Sequence, residues 1–128
     1  MAIPQYRIFF DTSVYIAGLR SPSGAARELL RLAEAEAIRM VVSDEVITEV
    51  DRVLTAKFPG LVQENRKLWK DLEPEVVPDP SADQVKPFSQ KLHKGDASIL
   101  CSAYLARVSA FVTWNTRDFM VGGVKSLV

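Results

Sequence analysis

Short apolar runs alternate with longer amphipathic stretches along this chain. Arg7-Ile8-Phe9-Phe10, Arg39-Met40-Val41-Val42, Glu75-Val76-Val77 and Ala110-Phe111-Val112-Thr113 have strand length and are rich in aromatic and β-branched residues. The stretches between them have helical period. A short helix is expected over about 12–18, followed by a turn through Ser21-Pro22-Ser23-Gly24. A second helix over about 25–37 places Leu29, Leu30, Leu32 and Ala33 on one stripe. Ser43 is a fitting N-cap for a third helix over about 44–57, which Phe58-Pro59-Gly60 stops. A fourth covers about 61–71, and helical character returns over about 84–92, where Pro87 suits only a first turn. A helix from Lys94-Gly95-Asp96 to about residue 107 is apolar on most sides and is expected to be buried. After Gly122-Gly123 a last short strand is expected over about 124–128.

Strands separated by helices predict the α/β class: a parallel sheet covered by helices on both faces, hence three layers. The 128 residues fit one domain, and 48% hydrophobic content supplies a core. Charges balance at 16 against 16, so composition does not announce a nucleic-acid partner, and any basic surface has to be local. The single cysteine, Cys101, excludes an internal disulfide framework and suits a reducing cytosol. No stretch approaches the roughly 20 apolar residues of a membrane span, and Met1-Ala2-Ile3-Pro4-Gln5 lacks a signal-peptide core. A cytoplasmic protein is expected.

Candidate chemistry lies where strands end. Asp11 follows the first strand and precedes Thr12-Ser13; Asp96 opens the apolar helix; Asn115 and Asp118 follow the fourth strand. In a doubly wound sheet these positions share the carboxyl edge, where ligands bind. Taken singly, Asp11 and Asp96 read equally as helix caps, and Asn115 as a turn residue. On the third helix, Val46, Ile47, Val50, Val53 and Leu54 form the apolar arc, with Glu49 at one margin and Asp51 at the other. The wheel does not choose between them. Carboxylates held close together repel, and a hard divalent cation relieves that repulsion. Thr12, Ser13 and Thr113 are short hydroxyls placed to support such a site, and Asn115 adds orientation without charge.

Four segments carry a resemblance to a known family: Phe9-Phe10-Asp11-Thr12-Ser13-Val14, Val42-Ser43-Asp44-Glu45-Val46-Ile47-Thr48-Glu49-Val50, Lys94-Gly95-Asp96-Ala97-Ser98-Ile99-Leu100, and Val112-Thr113-Trp114-Asn115-Thr116-Arg117-Asp118-Phe119. In this order and spacing the chain resembles the PIN domain, in particular the ribonuclease toxins of toxin–antitoxin pairs. The resemblance implies a parallel sheet of four or five strands between helices and cleavage of RNA that depends on Mg²⁺ or Mn²⁺, leaving 5′-phosphate and 3′-hydroxyl ends. By match, Asp11, Glu49 and Asp96 are the first three acids and metal ligands. Many members carry Asp at the position of Asn115; here Asp118 is the nearby carboxylate. It also implies a possible cognate antitoxin and a homodimer.

Two other functions compete. A PIN-like module with an altered fourth position would act by binding RNA or protein, with weak or silent catalysis. A phosphoacceptor signalling domain shares the α/β scaffold, but it wants its reactive Asp after a central strand together with other acids near the first, and Glu49 has no place in it. His93, Arg20, Lys94 and Arg117 read as solvated unless the fold brings them to the site. Cys101 reads as core, and Trp114 either stacks on a base or packs at its strand end. Trp69 with Leu61, Val62, Leu68 and Leu72 forms an apolar patch that is either core or a dimer face.

Overall fold

The computed structural model describes residues 6–90 and 92–114. Four strands form one sheet: β1 (Arg7–Phe10), β2 (Arg39–Ser43), β3 (Glu75–Val77) and β4 (Ala110–Val112). Their order is β3-β2-β1-β4, and every pairing is parallel. The chain builds outward from β1 through β2 to β3, then crosses to the other side of β1 to lay down β4. The order therefore reverses between β1 and β4, and the carboxyl ends of those two strands flank the switch point. Asp11 follows β1 and Thr113 follows β4, so both stand at that crevice.

Successive residues of a strand point to opposite faces. Phe9 and Phe10 are both fully buried, as are Val41 and Val42, so helices cover both faces of the central strands. The helices are α1 (Thr12–Arg20), α2 (Ala25–Glu34), α3 (Asp44–Lys57), α4 (Val62–Leu72), α5 (Ala82–Val85) and α6 (Lys94–Leu105). The main core joins Phe9, Phe10, Val14, Tyr15, Leu30, Val46, Val50 and Leu54. A smaller cluster holds Phe88, Leu92, Ala97, Leu100 and Cys101. The Cys101 thiol is buried there and donates to the Gln84 carbonyl at 3.3 Å; burial pushes its pKa up, the opposite of an activated thiol. Trp69 packs on the main core, its ring centroid 4.7 Å from that of Tyr15, so the apolar patch of α4 is core on this side. Among the described residues no helix is long and apolar enough to cross a membrane.

Several element ends differ from the pattern-based expectation, each for a local reason. Helix α2 stops at Glu34, not near residue 37. Glu36 adopts a left-handed φ of 61°, and the Glu36 and Ala37 amides return to the Ala33 and Leu32 carbonyls. That is a Schellman ending built on Glu rather than the usual Gly. The helix expected over 84–92 is displaced: α5 is one turn, opened by a reciprocal capping box between Ser81 and Gln84, and residues 86–90 are turn. Pro87 has no N–H to extend the ladder. Helix α6 ends at Leu105 rather than residue 107, where Arg107 takes a φ of 54°. Ser43 pairs as the last residue of β2 and also caps α3, its hydroxyl accepting from the Val46 amide at 3.3 Å. The strand expected over 124–128 lies outside the described residues.

Candidate active site

Asp11 occupies the N-cap position of α1, yet its side chain caps nothing. The residue is 4% exposed, and its carboxylate turns toward the switch crevice instead. There Oδ2 accepts from the Ser13 hydroxyl at 2.9 Å and from the Thr113 hydroxyl at 2.8 Å. Each hydroxyl has one proton, and both are spent on Asp11. The 3.3 Å approach of Ser13 Oγ to Thr113 Oγ1 is therefore a contact, not a third bond. Ser13 Oγ in turn accepts from the Trp114 amide at 2.9 Å, which ties the chain leaving β4 to the first turn of α1. A buried carboxylate is costly unless its oxygens are hydrogen-bonded, so this arrangement answers the cost and fixes the direction of the group. Tyr15, one turn along α1, is wholly buried; desolvation chiefly, and the Asp11 charge second, push its phenol pKa up.

Glu49 approaches from α3. Its pKa is raised, first by desolvation and then by the Asp11 charge, with Asp96 adding a smaller rise. The Thr12 hydroxyl and Arg52 offset part of this. Thr12 Oγ1 is buried beside Glu49 and has no partner in full hydrogen-bond geometry. Asp96 sits in the first turn of α6, where the helix dipole favours an anion; the N-cap position itself belongs to His93, whose side chain makes no cap bond. Three acids from three elements thus share one electrostatic neighbourhood. Glu49, and not Asp51, lines an open cleft of about 380 Å³.

That cleft also contains Glu45, Asp79 and Arg52, which the hydrophobic pattern does not single out. Glu45, one turn before Glu49, accepts a short hydrogen bond from the Ser98 hydroxyl and so joins α3 to α6 two residues after Asp96. Asp79 accepts from the Glu45 amide at 3.1 Å, holding the loop after β3 against the start of α3. Arg52 completes the lining. The spacing 45, 49, 52 is a helical face and was a readable signal. Of the other candidates, Arg20 lies over the Phe58 ring at 4.4 Å, His93 is exposed, and Trp114 is 46% exposed beside Ser13 rather than packed. Asn115, Arg117 and Asp118 lie outside the described residues.

Among the described residues no three His, Cys, Asp or Glu side chains stand close enough to enclose an ion. Mg²⁺ does not need such a cage: it keeps several waters and takes only one or two carboxylates directly. An all-oxygen donor set whose members repel one another fits a hard divalent cation and does not fit a soft one. Burying Glu49 beside these acids also has a measurable cost, desolvation first and repulsion second. Below the ordinary carboxylate pKa of 4.5, Glu49 is protonated in both folded and unfolded chains and the cost is absent. As pH rises through that value toward the raised one, the unfolded chain releases its proton first, and the folded state loses stability. Glu49→Gln is therefore expected to melt a few degrees above the unsubstituted protein at pH 7 without metal, and no higher at pH 4. Thermal melts at the two pH values check this; an equal gain at both would place its cause outside ionisation.

One family model matches most of the chain. A model described as the PIN domain matches residues 7–117. Comparison with curated proteins finds no significant relative. Among solved structures, a toxin–antitoxin complex from Klebsiella pneumoniae matches at 26% identity and a TM-score of 0.66, covering 91% of this chain and 92% of that one. VapC20 of Mycobacterium tuberculosis, a Sarcin-Ricin loop cleaving toxin, matches at 15% identity and 0.64, over 90% and 95% of the two chains. VapBC2 from Rickettsia felis, bound to a DNA fragment from its promoter, matches at 12% and 0.64, over 87% and 89%. At 15% and 12% identity, the last two speak for the fold alone.

Proposed function

The chain belongs to the PIN domain family, and from that premise we propose that it is a metal-dependent endoribonuclease, the toxin of a toxin–antitoxin pair. The observation that carries this reading is the electrostatic meeting of Glu49 with Asp11 and Asp96, from three separate elements, at the carboxyl edge of the sheet. A bound Mg²⁺ or Mn²⁺, held by Asp11, Asp96 and Glu49, would supply a more acidic water and neutralise charge developing on the phosphate. The protein's own groups set the stage for that chemistry. Ser13 and Thr113 both donate to the Asp11 carboxylate and hold it aimed into the crevice. Glu49, half-buried on α3, presents its carboxylate to the same crevice as Asp11 and Asp96. Water adds to phosphorus in line as its proton passes to solvent, the bond from phosphorus to the 3′-oxygen breaks, and that oxygen takes up a proton from solvent, giving 5′-phosphate and 3′-hydroxyl ends. Asp118 is assigned to assist the three acids, with Asn115 orienting substrate or water.

A single domain of this kind acting in the cytoplasm would need a partner to restrain it. We assign that role to a small antitoxin that covers the acidic crevice, as the pairing in the Klebsiella pneumoniae complex suggests. A homodimer is the expected assembly, and a mass measurement in solution tests it. For the activity, the test is cleavage of single-stranded RNA with Mn²⁺ or Mg²⁺ and its loss in chelator. End analysis should find 5′-phosphates. Metal-independent cleavage would discard the assigned site. If millimolar metal neither binds nor supports cleavage, the protein is a PIN-like binding module instead.

A further inference from the structure

The cleft beside Glu49 has a charge problem that a metal alone does not solve. Asp44, Glu45 and Glu49 from α3 line it together with Asp79. A single strand of RNA brings one negative charge per nucleotide into this surface. A divalent cation at the reacting phosphate does nothing for the phosphates on either side. Among the described residues one cationic side chain lines the cleft, Arg52.

Arg52 is exposed and stands three residues beyond Glu49, about 4.5 Å along the helix axis. It is near enough for the Glu49 charge to feel it. Yet it forms none of the ion pairs found within 4.0 Å among the described residues, in contrast to Arg7, Arg27, Arg31 and Arg39. A guanidinium fork that lines a substrate cleft without an ion-pair partner has its donors available, and that fork matches a phosphate in two-point geometry. We propose that Arg52 binds an RNA backbone phosphate next to the one being cleaved. This rests on the nuclease reading and adds a substrate-binding residue to it. Standing a turn away from the reacting centre, Arg52 contributes to ground state and transition state alike.

The test is steady-state cleavage of a labelled single-stranded RNA in Mn²⁺ by the unsubstituted protein, Arg52→Gln and Arg52→Lys. Arg52→Gln should raise KM about tenfold and leave kcat within about threefold, as loss of a charge-assisted contact predicts. Its plot of log kcat/KM against log salt should be shallower by about 0.7, one released counterion on a single strand. Arg52→Lys should keep the slope and recover only part of KM, because it keeps charge and loses the fork. Circular dichroism should show all three folded, since Arg52 is on the surface. An unchanged KM and slope in Arg52→Gln overturns the inference. So does a shifted pH profile with an unchanged slope, which would mean that Arg52 acts only through Glu49. Should the unsubstituted protein fail to cleave RNA with metal, the nuclease reading falls and takes this assignment with it, a result distinct from equal cleavage by both.

Discussion

Asp11→Asn is expected to lower metal-dependent RNA cleavage by at least about a thousandfold while leaving the fold in place. Asn keeps the shape of the side chain and one acceptor oxygen. The Ser13 and Thr113 hydroxyls that now donate to Oδ2 can turn and accept from an amide, so no buried group is orphaned. What is lost is the negative charge at the switch point. Without it the crevice attracts a divalent cation less, and Glu49 loses its largest like-charge neighbour. Two readouts separate these consequences. Cleavage at saturating Mn²⁺ should collapse, and the melting temperature in chelator should hold or rise. Cleavage equal to that of the unsubstituted protein would remove Asp11 from the site. A large fall in melting temperature would instead return it to a structural role.

The same residue shows what could be read from sequence and what could not. That Asp11 ends a strand and starts a helix is visible in Phe9-Phe10-Asp11-Thr12-Ser13, and the cap reading was equally consistent with it. Only the fold shows the side chain abandoning the cap for Thr113, 102 residues away, because β4 pairs with β1. Local pattern carries no information about which strand lies alongside. The tie between Glu49 and Asp51 had the same origin: both flank the apolar arc, and which flank meets the crevice depends on how α3 rolls against the core. For α5, apolar spacing points toward residue 92, whereas its actual start is the capping box of Ser81 with Gln84, which is legible in the sequence. The end of α2 was not readable, since a left-handed Glu36 carries none of glycine's signature. The order of layers and the parallel sheet were legible because they follow from alternation alone.

Phe10→Ala is expected to cost about 3–5 kcal/mol of folding stability, the range for truncating a buried aromatic. Phe10 is fully buried on the central strand, its ring 6.0 Å from Tyr15, which rests on Trp69. A domain of this size has about 5–15 kcal/mol in total, so the loss should lower the melting temperature by more than about 10 °C. Phe10 immediately precedes Asp11 in the chain, and this gives the substitution a functional readout. Metal that binds only the folded state returns stability by mass action, about 2.7 kcal/mol at a hundredfold excess over Kd. Saturating Mn²⁺ should therefore raise the melting temperature of Phe10→Ala as it raises that of the unsubstituted protein. It should do little for the double variant Phe10→Ala, Asp11→Asn. Denaturant melts with and without Mn²⁺ measure both terms. A cost below about 1 kcal/mol would mean that Phe10 is not enclosed as described. Equal rescue of the double variant would mean that the metal stabilises the protein somewhere other than at Asp11.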